Sequence, residues 1–161
     1  MNKHTFGAIV VVFAALFSAE AIACSCMSRG AFVDYTKQSQ GVIRAKIVAY
    51  GDKLLHGDTL YESMSVDVIS VEKGALNFES IVLLGDPGHL CRDYVDSKCL
   101  VIGREYLIAL HSDENVQPFG GCGEAWLRID GDTAKGHKWV GDEYQEYAQP
   151  LSSLLEKLNQ T

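Results

Sequence analysis

The chain has 161 residues, 14 basic and 21 acidic side chains, and a formal net charge of -7. An acidic surface repels a phosphate backbone, so these numbers argue against nucleic acid as a partner. The length suits one compact domain with a modest core.

The N-terminus carries the pattern of a signal peptide. Lys3 precedes an apolar run from Phe6 to Phe17, and Ala21-Ile22-Ala23 provides an A-x-A cleavage site. The run is too short to span a bilayer, and no later stretch is long enough, so we expect no transmembrane segment. We therefore predict that residues 1–23 are removed after Ala23, and that residues 24–161 form one secreted or periplasmic domain that is monomeric.

The remaining chain favours strands. Alternating or β-branched segments bounded by turn signals predict five strands, at Gly41 to Tyr50, Leu60 to Glu72, Ser80 to Leu84, Glu105 to His111 and Ala125 to Ile129. The polar stretch from Gly51 to Asp58 is interpreted as a hairpin loop. The leucines that follow Pro150, at 151, 154, 155 and 158, predict a short amphipathic helix. Five strands favour a closed or nearly closed antiparallel barrel, with a sandwich as the alternative.

All five cysteines, at positions 24, 26, 91, 99 and 122, lie after the predicted cleavage site. In an exported chain they favour disulfides over a reduced thiol site. Because five is odd, at least one thiol is free or pairs between molecules. A zinc cluster is disfavoured, because Cys24-x-Cys26 lacks the usual two-residue spacer.

The sequence gives little support for an enzyme. The histidines at 56, 89, 111 and 137 stand singly, and no nucleophile motif is present. Trp126 and Trp139 are interpreted as packing residues. The acidic residues Asp130, Asp132, Asp142 and Glu143 are interpreted as a solvated face without the calcium-binding EF-hand pattern. We expect neither catalysis nor a cofactor.

Several motifs in order resemble one known family. Cys24-Ser25-Cys26 follows the signal peptide, Ala31-Phe32 and Val42-Ile43-Arg44-Ala45-Lys46 come next, and Val71-Glu72-Lys73-Gly74 and Tyr106-Leu107-Ile108-Ala109 lie further on. Together they resemble the N-terminal domain of the tissue inhibitors of metalloproteinases, within the netrin-like group. The resemblance covers nearly all of residues 24–130 and implies an all-β, OB-type five-stranded Greek-key barrel, here with a short C-terminal helix.

The resemblance also implies a mechanism. In that family the free amine and carbonyl of the N-terminal cysteine chelate the catalytic zinc of a metalloproteinase, which assigns this role to Cys24. Ser25 would enter the specificity pocket of the protease. The implied partner is thus a zinc metalloproteinase, whose zinc is bound in trans.

The family's disulfides imply the pairs Cys24–Cys91 and Cys26–Cys122, with Cys99 unpaired. The alternative is Cys24–Cys99 with Cys91 free. Val33 stands where the family has a further cysteine, so one family disulfide is expected to be missing. The first pair would place the N-terminal segment beside the connector between strands. The resulting contact ridge consists of Cys24, Ser25, Cys26, Met27, His89, Leu90, Cys91 and Arg92.

Two other functions remain open from the sequence. The cysteines can staple the N-terminus of a binding module that inhibits no protease, since a fold does not fix a function. Ala21-Ile22-Ala23-Cys24 also loosely resembles a lipoprotein processing site, at which Cys24 would be lipidated. Lipidation would acylate the amine and abolish chelation.

Overall fold

A computed structural model describes residues 30–88, 90, 92–121, 123–140 and 143–160. Within these ranges the chain forms two short helices and one sheet of eight strands. The helices are α1 (Phe32–Thr36) and α2 (Leu151–Leu158). The strands are β1 (Gly41–His56), β2 (Thr59–Lys73), β3 (Ser80–Leu84), β4 (Glu105–Leu110), β5 (Val116–Pro118), β6 (Trp126–Asp130), β7 (Thr133–Val140) and β8 (Glu143–Pro150).

The sheet is open, with the strand order β5-β3-β2-β1-β4-β6-β7-β8. The β3–β5 pair is parallel, and the other neighbouring strands are antiparallel. A mostly β architecture with a short C-terminal helix is therefore confirmed. The closed five-stranded barrel is wrong, because the free side of β4 pairs with β6 and the sheet continues outward instead of closing on β5.

The β1–β2 hairpin is longer than the sequence indicates. The stretch predicted as a loop continues as strand to His56, and the reversal uses only Gly57-Asp58. Gly57 has φ +60°, as a tight two-residue hairpin turn requires. Residues 51–58 are all exposed. The outer part of the hairpin is thus held by pairing between its two strands and not by a core.

Both faces of the sheet carry a hydrophobic cluster. Successive residues of β4 alternate between them: Leu107 and Ala109 belong to the first cluster, and Tyr106, Ile108 and Leu110 to the second. Both helices contribute side chains to the first cluster. The second contains side chains from β1, β2, β3 and β4 and from the connectors at Leu100 and Phe119. Burial on both faces fixes the register, because a one-residue slip would exchange the two sets.

The predicted C-terminal helix is confirmed as α2. It begins directly after Pro150, and its buried leucines, 151, 154 and 158, pack against the first cluster. Lys157 lies in the last turn, where a positive charge interacts favourably with the helix dipole.

The two edges of the open sheet differ in length. The β5 edge has three residues and ends at Pro118, which has no N–H to donate. The β8 edge has eight residues and carries the acidic side chains Glu143 and Glu146. No helix in the described ranges is both long and apolar enough to cross a membrane.

Candidate functional site

The contact ridge expected from the sequence lies largely outside the described residues. This holds for Cys24, Ser25, Cys26, Met27, His89, Cys91 and, at the second predicted disulfide, Cys122. The predicted pairs Cys24–Cys91 and Cys26–Cys122 therefore also lie outside them. Leu90 and Arg92 are described, as are the segments that neighbour them.

Asp86 organises the connector that follows β3. Its buried carboxylate accepts backbone N–H bonds from Gly88 (2.6 Å), Leu90 (3.0 Å) and Arg92 (2.7 Å). Its own N–H donates to the carbonyl oxygen of Asp93 at 3.0 Å. Charge-assisted bonds of this kind are stronger than neutral ones. One side chain therefore holds the backbone of the two described ridge residues.

Asp93 packs against the glycine-rich segment before β6. A Cβ atom on Gly120 would overlap the Asp93 carboxylate, and Gly120 has φ +70°, so this close approach needs glycine. Oδ2 of Asp93 is buried and accepts no hydrogen bond within the described ranges. Burial raises the pKa of Asp93 to about 7, although a hydrogen bond with Trp126 acts to lower it. The carboxyl is thus close to its ionisation point at neutral pH.

Tyr35 of α1 and His111 form a second contact in this region. The Tyr35 hydroxyl lies 2.5 Å from Nε2 of His111, and the two rings pack edge to face at 5.3 Å. A Cβ atom on Gly121 would lie 2.9 Å from the Tyr35 oxygen. His111 is therefore paired with a buried tyrosine, which corrects the interpretation of it as an isolated histidine.

Glu124 joins three elements through one carboxylate. It accepts the backbone N–H of Phe32 at 2.9 Å, the backbone N–H of His137 at 2.7 Å, and the hydroxyl of Tyr147. Burial raises the pKa of Glu124, while the Tyr147 bond and the two N–H donors act to lower it. Burial and the neighbouring carboxylate raise the pKa of Tyr147. The start of α1 is thereby fastened to β7 and β8.

These contacts bring together the chain segments next to the predicted disulfide partners. Asp93, two residues after position 91, touches Gly120, which lies two residues before position 122. Phe32, six residues after position 26, bonds to Glu124, two residues after position 122. The described residues that follow positions 26 and 91 therefore lie close to those that flank position 122.

The described residues show no metal centre of their own. Within these ranges no group of three or more His, Cys, Asp or Glu side chains is arranged to hold a metal ion. Cys99 carries an exposed free thiol.

Of the acidic face expected near β6, Asp132 and Glu143 are exposed, whereas Asp130 lies among basic side chains. The Asp130 carboxylate lies 2.9 Å from Lys135, 3.3 Å from Arg128 and 3.6 Å from Arg104. The hydrogen bond from Lys135 is the main reason that the pKa of Asp130 is lowered. Asp130 is thus neutralised by its neighbours. Asp142 lies outside the described residues.

Asp86, Asp93 and Glu124 are not among the site residues predicted from sequence. Asp86 carries a signal, because Gly85-Asp86-Pro87-Gly88 is a turn motif whose aspartate often accepts N–H bonds from the following residues. Asp93 and Glu124 carry none, since their roles depend on burial by segments distant in the chain.

Comparison with known proteins returned no match, neither to a protein-family model nor to a curated protein nor to a solved structure. The resemblance to the metalloproteinase inhibitors therefore rests on the sequence motifs, and the function derived from it is a proposal.

Proposed function

We propose that the exported chain inhibits zinc metalloproteinases, with the free amine and carbonyl of Cys24 chelating the catalytic zinc of the target. The observation that supports it is that the described residues following positions 26 and 91 lie close to those that flank position 122. An inhibitor of this kind needs its N-terminus tied to the domain by those cysteines.

The Phe32–Glu124 hydrogen bond supports the pair Cys26–Cys122. A disulfide needs its two Cα atoms within about 7 Å, and this bond joins the chain a few residues beyond each partner. Glu124 is also bonded to Tyr147 and to the backbone of His137, so the anchor belongs to the sheet itself. A segment tied in this way loses less conformational freedom when it binds.

The Asp86 turn supports the other side of the ridge. Leu90 and Arg92 are held by the same carboxylate, and Asp93 fits against Gly120. A Cys24–Cys91 bond would attach the N-terminus to this fixed connector. Pre-organised contacts give affinity because less ordering is required on association.

The chemistry follows from the open coordination position of a catalytic zinc, which is normally held by water. An amine and a carbonyl on one residue displace that water, and the protease loses its nucleophile. An α-amino group has an ordinary pKa of about 7.7–8.0, so a useful fraction is neutral near pH 7 and able to bind metal. Ser25 would then occupy the specificity pocket with a small side chain.

The test modifies the amine alone. The protein starting at Cys24 is expected to inhibit members of a panel of zinc metalloproteinases, whereas a form with one alanine before Cys24, or with an acetylated amine, is expected to lose inhibition. The matched control carries one alanine after Thr161, which adds the same residue at the other end. Circular dichroism and thermal unfolding establish that all forms fold alike.

Either of two outcomes would contradict the proposal: native and N-terminally extended forms inhibit equally, or none inhibits any protease of the panel. Substitution of Ser25 by a bulky residue should change which proteases are inhibited, because it alters the pocket contact and leaves the chelate intact. The mass of the mature N-terminus separates this function from the lipoprotein alternative, in which Cys24 carries an acyl group.

A further inference from the structure

A pocket of about 460 Å³ lies between the β1–β2 hairpin and the connector after β3. This volume is within the range of small-ligand sites. Its lining contains neither Glu124 nor a cysteine, although one wall belongs to the connector between positions 91 and 99. Its lining consists of Tyr50, Gly51, Glu62, Ser63, Tyr94, Val95, Asp96 and Ser97.

Three hydrogen bonds fix the segment that forms one wall of the pocket. The side-chain Oδ1 of Asp96 accepts the N–H of Lys98 at 2.9 Å, and its carbonyl oxygen accepts the N–H of Leu100 at 2.9 Å. The hydroxyl of Tyr50, on the opposite wall, donates to the carbonyl oxygen of Leu100. Val95 packs against the second hydrophobic cluster. The pocket is thus built from a strand and a connector that are bonded to each other.

The lining combines two aromatic rings with two carboxylates. Tyr94 is 62% exposed, so most of its ring is available to a ligand. Asp96 and Glu62 are the acidic residues of the lining, which contains no basic side chain, although Glu62 is paired with Lys53 from outside it. Aromatic faces attract organic cations, and carboxylates bind ammonium groups. The chain's net charge of -7 acts in the same direction by attracting cations.

We propose that this pocket binds an alkylammonium group, carried either by a small amine or by a lysine side chain of a peptide partner. The ammonium would lie between the carboxylates of Asp96 and Glu62, and its alkyl part would pack on the ring of Tyr94. The site is independent of the inhibitory N-terminus.

The side chain of Lys53 already places an ammonium group against one carboxylate of the pocket. Its ammonium nitrogen lies 3.0 Å from Glu62 Oε1, and both side chains are about half exposed. An exposed pair of this kind is weak, so a ligand ammonium can displace it. Removing Lys53 should therefore strengthen ligand binding, whereas removing Glu62 should weaken it.

The binding test uses the exported protein labelled with ¹⁵N. n-Butylammonium represents a small amine, Nα-acetyl-lysine methylamide represents a peptide side chain, and Nα-acetyl-norleucine methylamide is the neutral match for the lysine amide. Saturable shifts of the amides of Gly51, Ser63 and Ser97 are expected with at least one ammonium probe and not with norleucine. Tighter binding of n-butylammonium would assign the site to small amines, and tighter binding of the lysine amide would assign it to peptides.

Variants locate the binding. Tyr94→Ala and Asp96→Asn should each weaken it by about two- to fivefold, and Lys53→Met should tighten it. Asp67→Asn is the matched control for Asp96→Asn, because it changes the net charge equally at an exposed position of β2 outside the pocket.

Three results would overturn the proposal. The first is the lack of a saturable shift with either ammonium probe, and the second is equal shifts with norleucine. The third is equal weakening of binding by Asp67→Asn and Asp96→Asn. That result would mean that the net charge of the protein, and not the pocket, attracts the probe. Tyr94 is largely exposed, so the variant Tyr94→Ala keeps the test valid even if another substitution disturbs the fold.

Discussion

Replacing Asp93 by asparagine should remove a pH dependence from the stability of the fold. The folded protein holds a proton on this carboxyl up to about pH 7, because burial raises its pKa from 3.8 to about 7. The unfolded chain releases that proton from about pH 4 upward. The folded state therefore binds more protons than the unfolded state between these values, and stability falls as the pH rises through this window.

The structure sets the size of the effect. Each unit of pKa difference corresponds to about 1.4 kcal/mol, so the shift from 3.8 to about 7 is a free-energy difference of about 4 kcal/mol in all. Between pH 4.5 and pH 7 it amounts to about 3 kcal/mol. Asparagine has nearly the same shape and stays neutral, so its contribution does not change across this range.

Urea unfolding of wild type and Asp93→Asn, at several values between about pH 4.5 and 8.5, measures this contribution. The free energy of unfolding of the wild type, relative to that of Asp93→Asn, should fall by about 3 kcal/mol as the pH rises over this range. The fall should level off above pH 7. Asp67→Asn makes the same charge change at an exposed position and should follow the wild type. If the difference in free energy of unfolding between the wild type and Asp93→Asn stays constant with pH to within about 0.5 kcal/mol, Asp93 is not a buried, protonated carboxyl.

Three further substitutions test the packing. In urea unfolding, Gly120→Ala should lower the free energy of unfolding by at least about 1 kcal/mol more than Gly57→Ala does. Both glycines have positive φ, but a Cβ atom would overlap Asp93 at Gly120 and would meet no atom within 4 Å at Gly57. Leu107→Ala should lower the free energy of unfolding by about 2–5 kcal/mol, and Leu55→Ala, at a 68% exposed position, by less than about 0.5 kcal/mol. Glu124→Gln should lower the free energy of unfolding by about 1–3 kcal/mol, because an amide offers one acceptor oxygen to the three donors that the carboxylate now serves. An unchanged free energy of unfolding would contradict the role of Glu124 as an anchor.

The sequence predicts the strands that are rich in apolar and β-branched residues and misses those that are not. β3 matches its predicted bounds, β4 ends one residue earlier than predicted, and β6 is shifted by one residue at both ends. β7 and β8 are polar along much of their length and are formed largely by pairing with neighbours, which leaves no periodic signal. The missed strands also explain the wrong barrel, because β7 and β8 extend the sheet past β6.

The candidate site is predictable only where the chain itself encodes a local motif. Asp86 belongs to such a motif, since its N–H partners follow within six residues. The partners of Glu124 lie at residues 32, 137 and 147, and no spacing in the sequence indicates that they meet. The ridge residues from Cys24 to Met27 came from the family resemblance, and their placement remains a prediction.

The unequal edges of the open sheet bear on self-association. An exposed edge strand offers free backbone groups to a second copy of the chain, and natural sheets oppose this with short edges, proline and charge. The β5 edge relies on its length of three residues and on Pro118. The long β8 edge relies on the exposed Glu143, whose negative charge repels the same edge of another molecule, whereas the charge of Glu146 is partly offset by Arg128 at 3.8 Å. Protection against strand-to-strand polymerisation is therefore steric at one side of the sheet and electrostatic at the other, so acid or high salt weakens it at β8 alone.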